Sequence, residues 1–394
     1  MAGWSNWSGR SRSERATVRF ARSVDDVAAI VAEATGQGRC VRVAGAGHSH
    51  FPLVPTDDVI LDVSGITGLI DVDTSDGIDR ATARVYGGTT IAALGRPLHD
   101  AGVALANQGD IDRQTIAGAT ATGTHGTGWS LGSLSTAVRG LTIVDATGQL
   151  IRCSPDDRSE LWRAARLGLG AFGVVVELEL AVVPAFRLAE SSITTTYDEL
   201  RPEIDRLVRS HRHAEFFWSP RSDLAFVKTI DVTDEPARYP LGDEGSRVAW
   251  NYEVLPNHRP RLHTEMEFAV PYESSLDCLD EIRELLTTEF TDVRMPIEYR
   301  TVAADDVWLS PAYERSTATI SVHRLIEFDD RPYFDACERV FRRYGGRPHW
   351  GKMHSFTGDD LAAAHPRWDA WWAQRDTVDP TGTFLNDALR AWRT

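Results

Sequence analysis

The pattern of apolar positions at the start of the chain predicts alternating strands and helices. Residues 17–20 (TVRF) and 40–44 (CVRVA) are short apolar runs typical of strands. Between them, apolar residues recur at the spacing of one helix face, at Val27, Ile30, Val31 and Ala34. Ser23 fits the N-cap of this helix, and Asp26 would complete a capping box. The chain therefore opens with a strand–helix–strand unit that runs into a glycine turn at 45–49.

Strand patterns continue to residue 183, but one segment has almost no bulky side chains. The further predicted strands are 59–63, 69–72, 80–86, 141–145, 149–153 and 174–183. Helices are predicted after Thr89 or Thr90 and over 157–166. Residues 117–132 (AGATATGTHGTGWSLG) cannot fill a core with their own side chains. This composition is more typical of a backbone that wraps around a buried flat ligand than of a flexible surface loop.

The amino-acid composition of the chain changes near Pro184. Residues 185–360 carry most of the aromatic and long polar side chains. Strand-like pieces alternate there with acidic amphipathic helices such as 276–286. We therefore predict an antiparallel sheet flanked by helices, which forms a second domain. A length of 394 residues is sufficient for two or three domains.

Charge and cysteine content narrow the function classes. The chain has 42 Lys and Arg against 57 Asp and Glu, a net charge of −15, which argues against nucleic-acid binding. Its four cysteines are far apart and contain no C-x-x-C pair, as expected for reduced thiols in a cytosolic protein. The polar N-terminal segment predicts no export signal, and no apolar run is long enough to span a membrane. We therefore expect a cytoplasmic protein with no membrane span.

The turn at 45–49 (GAGHS) directly follows a predicted strand. Its glycines let consecutive backbone N–H groups approach a ligand and form an anion nest, which suits a pyrophosphate. The turn does not complete a G-x-G-x-x-G motif, because His50 takes the last glycine position. Residues 51–55 (FPLVP) do not open a helix either, so a Rossmann fingerprint is excluded. A plain glycine turn remains an alternative.

Two further segments offer candidate chemistry. Ser130 completes a formal G-x-S-x-G match, but it lacks the preceding strand and following helix of a nucleophile elbow, so a hydrolase is disfavoured. Residues 349–354 (HWGKMH) place Lys352 beside an aromatic and two histidines. Those histidines do not share a helix face, so Lys352 as a substrate-binding cation is favoured over a metal site. A solvated loop remains the alternative.

Strand alternation places Glu298 and Arg300 on one face. On a buried face they would form an ion pair able to hold hydroxyl groups, whereas on an exposed face they would be a surface salt bridge. His211 with His213, and the segment 263–267, offer metal-ligand atoms but no clear third partner. We interpret both as strand-edge or surface residues and predict no metal site.

Ten motifs occur in order along nearly the whole chain, at residues 6–8 (NWS), 45–49 (GAGHS), 107–110 (NQGD), 119–128 (ATATGTHGTG), 169–174 (LGAFGV), 264–267 (TEME), 298–300 (EYR), 309–313 (LSPAY), 347–352 (RPHWGK) and 379–386 (DPTGTFLN). Together they resemble the FAD-dependent sugar-lactone oxidases and dehydrogenases of the vanillyl-alcohol-oxidase type. That group includes gulonolactone, arabinonolactone and alditol oxidases.

The resemblance implies an α+β fold. Two small subdomains would form an FAD-binding domain of the vanillyl-alcohol-oxidase (PCMH) type, covered by an α+β cap domain with an antiparallel sheet. The expected boundaries are 1–183 for the FAD-binding domain and 184–364 for the substrate or cap domain. Residues 365–394 would form a C-terminal segment that returns to the FAD-binding domain.

The resemblance also implies the chemistry. A carbinol of a sugar lactone or polyol would pass a hydride to N5 of FAD, and oxygen or another acceptor would reoxidise the flavin. An alditol, or another sugar or specialised metabolite, is the alternative substrate, and a non-catalytic sugar-binding protein is an alternative function. The expected catalytic residues are Glu298, Arg300, Lys352, His323 and His349. Whether Glu298 acts as a base or as a hydroxyl anchor stays open.

Cofactor contacts follow from the same resemblance. His48 aligns with the histidine that is bonded to the flavin 8α-methyl in covalent members, so a covalent link is expected. Such a bond raises the redox potential of the flavin. The full expected FAD-binding set is Gly45, Ala46, Gly47, His48, Ser49, Gln108, Gly118, Thr122, Gly123, Thr124, Gly126, Gly173 and Val174.

Overall fold

The computed structural model describes residues 3–393. Its first part contains a three-stranded parallel sheet in the order Thr17–Phe20, Val59–Asp62, Val41–Ala44. Next to it lies a five-stranded antiparallel sheet in the order Leu150–Cys153, Val138–Val144, Val174–Ala181, Thr82–Tyr86, Leu69–Asp73. Two short strand pairs complete the described strands of this part, Trp4–Ser5 with Arg12–Ser13 and Val103–Ala104 with Val183–Pro184.

The second part is built on an eight-stranded antiparallel sheet. Its strand order is Val248–Trp250, Arg187–Thr196, Leu224–Thr233, His213–Trp218, Ile297–Val302, Thr317–Leu325, His263–Pro271, Arg347–Pro348. The strand Ile297–Val302 lies near the centre of this sheet, and all six of its residues are buried. The predicted antiparallel sheet after Pro184 is therefore confirmed.

Helices cover both parts of the molecule. The α-helices are Val24–Gly36, Ile91–Asp100, Ile116–Ala121, Ser159–Ala165, Tyr197–Leu200, Ile204–Ser210, Asn251–Val254, Ser275–Thr288, Arg331–Arg343, Gly358–Ala364, Trp368–Val378 and Asp387–Ala391. Short 3-10 turns lie at Ile78–Arg80, Leu134–Ala137, Arg201–Glu203 and Tyr272–Ser274. Apolar side chains from the five-stranded sheet and from the eight-stranded sheet belong to one continuous core.

Local signals explain where several of these helices begin. The Ser23 hydroxyl accepts a hydrogen bond from the Asp26 N–H, which confirms the predicted N-cap. The predicted capping box is wrong, because the Asp26 carboxylate accepts from the Arg22 N–H instead. Thr90 caps the helix Ile91–Asp100.

The small-residue segment 117–132 differs from the prediction in one respect, since it overlaps a six-residue helix. Thr115 caps the helix Ile116–Ala121 by accepting from the Gly118 N–H. Ile116, Ala119 and Thr120 are buried in it. The rest of the segment is loop and turn, and it reaches the second part of the molecule where the Gly128 N–H donates to the Thr301 carbonyl.

The chain returns to its first part near its C-terminal end. The Trp371 indole donates to the Leu167 carbonyl, and the Val41 N–H donates to the Thr383 carbonyl. Arg42 is fully buried beneath this contact. Its guanidinium donates to four backbone carbonyls, those of Leu53, Leu169, Gly170 and Phe384. Residues far apart in sequence therefore close around one buried cation.

Candidate active site

A cavity of about 1060 Å³ lies between the glycine-rich loops and the eight-stranded sheet. All five predicted catalytic residues line it, namely Glu298, Arg300, Lys352, His323 and His349. On the opposite side it is lined by predicted cofactor residues, namely His48, Ser49, Thr122 and Thr124. Single-ligand pockets are typically about 300–1,000 Å³, so this space suits a cofactor ring together with a substrate.

Glu298 and Arg300 reach the cavity from the strand Ile297–Val302. They lie on one face of the strand, and the Glu298 carboxylate is 2.6 Å from Arg300 Nη2. Both side chains are more than nine-tenths buried, so the buried ion pair is correct and the surface salt bridge is wrong. Burial raises the pKa of Glu298 to about 7, and Asp110 and Glu215 add to the rise against Arg300.

Lys352 is held by two glutamates of the neighbouring strand His263–Pro271. Its ammonium lies 2.6 Å from Glu265 and 2.8 Å from Glu267. Burial opposes the charge on each carboxylate, but Lys352 lowers the pKa of both well below the usual range. The solvated-loop alternative for Lys352 is therefore wrong, because this side chain is only 16% exposed and its ammonium is doubly paired.

The strand His263–Pro271 corrects a second interpretation. His263, Glu265 and Glu267 alternate along it and face the site, and Glu267 is 1% exposed. His213 is also buried, with Nδ1 2.8 Å from the Thr127 carbonyl oxygen. His213 and Glu267 are therefore not surface residues, whereas His211, His263 and Glu265 are partly buried. These polar positions were misjudged because carboxylates and imidazoles are usually exposed.

His50 supplies the third partner that the sequence did not reveal for the segment 263–267. Ligand-type atoms of His50, His263 and Glu265 lie within 4.8 Å of one another. The Lys352 ammonium, however, already lies beside Glu265 as its cation. The absence of a metal site stays a prediction.

The two predicted catalytic histidines have opposite protonation tendencies. His323 Nε2 is 3.3 Å from Glu265, and although burial opposes its charge, this carboxylate raises the pKa of His323. Burial instead lowers the pKa of His349 to about 3. His349 is thus a neutral imidazole, and its Nδ1 accepts from the Gly351 N–H. That bond leaves its proton on Nε2.

The glycine-rich loops form a cradle in which extra atoms would collide. A Cβ on Gly45 would lie 2.3 Å from Thr115 Oγ1, and one on Gly126 would lie 2.3 Å from the Gln108 carbonyl oxygen. Gly47 has φ +69°, a conformation that favours glycine. Thr124 Oγ1 is buried without a hydrogen-bond partner. The glycines therefore let the loops pack closely on each other, and the unsatisfied Thr124 hydroxyl beside the cavity fits the binding of FAD.

The remaining predicted cofactor residues fall into two groups. Gly118 and Ala46 are exposed, and Gln108 and Gly123 are buried beside the loops that border the cavity. Gly173 and Val174 lie instead in the core of the five-stranded sheet. A Cβ on Gly173 would meet the Val144 carbonyl oxygen at 2.3 Å, and Val174 is fully buried. Strand packing accounts for both.

The hydrolase alternative gains no support from the geometry. Ser130 is exposed in a turn that is closed by a hydrogen bond from the Leu131 N–H to the Gly128 carbonyl. No strand of the described chain directly precedes it and no helix directly follows it, so there is no nucleophile elbow at this position.

Several charged groups of the site were missed by sequence reasoning. His125 lines the cavity, with Nε2 2.9 Å from Glu267. Asp110, Glu215, Lys228, Glu244 and Arg259 connect to Arg300 through ion pairs. The alternation of polar residues over 263–267 was an available signal for that strand. The other groups come together only in the folded chain.

Comparison with known protein families fits this geometry. The family model described as D-arabinono-1,4-lactone oxidase matches residues 178–258 and 242–392, and that described as FAD binding domain matches 16–154. The chain belongs to the D-arabinono-1,4-lactone oxidase family. The resemblance that the sequence motifs indicated is therefore confirmed, and so is an FAD-binding domain.

Members and neighbours of the D-arabinono-1,4-lactone oxidase family align over almost the whole chain. An L-gulono-1,4-lactone dehydrogenase of Mycobacterium tuberculosis is 34% identical over 98% of this chain and 98% of its own length. An alditol oxidase of a Streptomyces species is 28% identical over 98% and 97%. A crystal structure of cholesterol oxidase from B. sterolicum superposes with a TM-score of 0.87 at 18% identity, covering 99% of this chain and 96% of that one. The predicted α+β fold of the vanillyl-alcohol-oxidase type is confirmed.

Among residues 3–393, no helix combines the length and apolar character needed to cross a membrane.

Proposed function

We propose that this chain is an FAD-dependent oxidoreductase that oxidises a CH–OH group of a sugar lactone. The observation that carries the proposal is the cavity between the glycine-rich loops and the eight-stranded sheet, where Glu298, Arg300 and Lys352 converge. The names of the relatives, L-gulono-1,4-lactone dehydrogenase and alditol oxidase, supply the substrate class. A neutral substrate suits the site, because Arg300 and Lys352 already have carboxylate partners.

The cofactor would be held by the loops that carry Gly45–Ser49, Gln108, Gly118 and Thr122–Gly126. FAD, when bound, accepts a hydride from the substrate carbon. His48 would carry the covalent link. Burial, aided by Arg113, lowers the pKa of His48 and so favours the neutral imidazole, which has the lone pair that a new bond requires.

The cap residues would handle the substrate hydroxyl. Glu298 would accept its proton, since a base works best when its pKa lies near the working pH. Arg300 would orient Glu298 at 2.6 Å. Lys352, His323 and His349 would donate hydrogen bonds to the other substrate oxygens.

The same proposal assigns boundaries and surroundings. The FAD-binding domain would end at residue 183, the cap domain would span 184–364, and the C-terminal segment would begin at 365. Oxygen or another acceptor would reoxidise the flavin. Four free cysteines among the described residues suit a cytoplasmic location, and a net charge of −15 disfavours nucleic acid.

An alditol is the second candidate substrate. The observation favouring it is the alditol oxidase of the Streptomyces species, which aligns over 98% of this chain. A lactone and a linear polyol both present hydroxyl groups to the same polar cavity, so the two candidates share the residues above.

The experiment is a spectrum of the purified protein before and after acid precipitation, followed by anaerobic substrate addition. We expect yellow colour in the pellet, loss of that colour from the pellet for His48→Ala, and its retention for the control His211→Ala, which is half-buried and lies outside the cavity lining. L-gulono-1,4-lactone should bleach the flavin band. Bleaching by xylitol alone would select the second candidate, and a colourless protein that FAD cannot restore would refute the flavoenzyme proposal.

A further inference from the structure

Six charged side chains form a closed ring of alternating sign beside the cavity. In order around the ring they are Arg300, Glu215, Lys228, Glu244, Arg259 and Asp110, and we call this set the charge ring. The successive shortest N–O distances are 2.7, 2.6, 3.0, 2.8 and 2.9 Å, and 3.1 Å from Asp110 back to Arg300 closes it. Five separate segments of chain besides the Glu298 strand contribute to it.

The charge ring has a buried side and a more open side. Lys228 and Glu215 have side-chain exposures of 1% and 5%, whereas Glu244 and Arg259 have 27% and 34%. Burial opposes the charge on Glu215, but Arg300 and Lys228 lower its pKa to about 2. The ring therefore holds three positive and three negative charges, and its own net charge is zero.

Glu298 is attached to this neutral ring as one extra carboxylate. It contacts Arg300, whose charge is already shared with Glu215 and Asp110. The other charged groups near Glu298 are Lys352 on the loop after the edge strand, Arg259, His323 on the neighbouring strand, and Glu265, which has a carboxylate oxygen within 4.8 Å of one of Glu298. Lys352 is itself neutralised by Glu265 and Glu267.

We propose that the charge ring holds Arg300 in place and neutralises its charge through Glu215 and Asp110. Glu298 is then free to bind and release the substrate hydroxyl proton. Lys228 and Glu215, which lie outside the cavity lining, are then positioning residues that act through Arg300. This inference rests on the proposed function, because it assigns the ring a role in that reaction.

The charge ring makes a prediction of opposite sign for its two buried members. Loss of the Lys228 charge leaves the ring at −1, so Glu298 holds its proton to higher pH. Loss of the Glu215 charge leaves the ring at +1, so Glu298 ionises at lower pH. A charge about 10 Å away at an effective dielectric of about 20 moves a pKa by about one unit. Glu215 acts from a shorter distance, because only the Arg300 guanidinium separates it from Glu298.

The experiment uses the flavin-loaded enzyme and the variants Lys228→Met, Glu215→Gln and the double variant. The first readout is infrared titration of the protonated Glu298 carboxyl, identified by its absence in Glu298→Gln. The second is the pH dependence of anaerobic flavin reduction by the lactone. We expect a shift of about +1 pH unit for Lys228→Met, a downward shift of at least about 1 unit for Glu215→Gln, and an intermediate value in the double variant. Lys228→Arg should restore the wild-type titration.

Shifts of equal sign in the two single variants, or no shift in either, would overturn the proposal, because a merely structural role predicts no sign reversal. Should the buried variants fail to fold, Arg259→Gln and Glu244→Gln on the open side repeat the test, with expected shifts upward and downward. The infrared titration requires no substrate. If the Glu298 titration shifts as expected but no lactone or alditol reduces the flavin, the proposed function is refuted and the effect of the charge ring on Glu298 still stands.

Discussion

Replacing Lys352 by methionine should destabilise the protein in a pH-dependent way. The change leaves Glu265 and Glu267 buried without the ammonium that lies 2.6 and 2.8 Å from them. Removing one partner of a buried ion pair costs about 3–5 kcal/mol. An unfolding entropy of about 0.8 kcal/mol/K is expected for 394 residues, so the melting temperature should fall by about 4–6 °C at pH 8.

The sign of the pH dependence follows from the two depressed carboxylates. Because the folded pKa of each glutamate lies below its unfolded value, their stabilisation is complete above the unfolded pKa and is lost as pH falls through the folded one. In Lys352→Met the carboxylates lose this depression and become protonated more easily. The difference between the two melting temperatures should therefore be largest at pH 7–8 and should shrink below about pH 5.

Differential scanning calorimetry of the flavin-loaded proteins at pH 8, 6 and 4.5 measures this difference. The double variant Lys352→Met/Glu265→Gln is the matched control, since it removes one of the two uncompensated charges and should recover part of the loss at pH 8. An equal loss at pH 8 and pH 4.5 would refute the reasoning, because lost packing of the lysine stem would then explain the effect.

Two further predictions concern the framework of the site. Arg42→Met leaves four backbone carbonyls without their donor, at about 1–3 kcal/mol each, and should lower the melting temperature by at least ~4 °C, whereas the exposed control Arg15→Met should not change it. Similar melting temperatures for the two variants would contradict this role for Arg42. Gly126→Ala places a Cβ 2.3 Å from a carbonyl oxygen and should reduce the flavin-to-protein absorbance ratio several-fold, while Gly36→Ala meets nothing within 4 Å. Full flavin content in Gly126→Ala would show that the loop can shift to admit the methyl group without loss of FAD binding.

Local patterns predicted the elements of the fold well. The helix after Ser23 and the alternation of Glu298 and Arg300 both arise from neighbours in sequence, and both are confirmed. Local reasoning gave the wrong environment for Glu267, because the same alternation is typical of a half-exposed strand. Burial depends on the strand's place within the eight-stranded sheet, and no local pattern encodes that place.

The charge ring lay beyond sequence reasoning for a different reason. Asp110 and Arg300 are separated by 190 positions, yet their side chains approach to 3.1 Å. Each member alone is typical of a solvated surface residue. Their common role depends on loop closures and strand pairings that bring six segments to one place, and these are consequences of the folded core.

The contact between the Val41 strand and Thr383 has a consequence for the order of events during synthesis. A ribosome adds residues 383–386 only after the whole eight-stranded sheet has been synthesised, so Arg42 lacks the Phe384 carbonyl until then. Asn386 then donates to the carbonyls of Pro52, Leu53 and Pro55, just beyond the GAGHS turn. The nascent first part of the molecule should therefore remain open near this turn until the eight-stranded sheet has been synthesised.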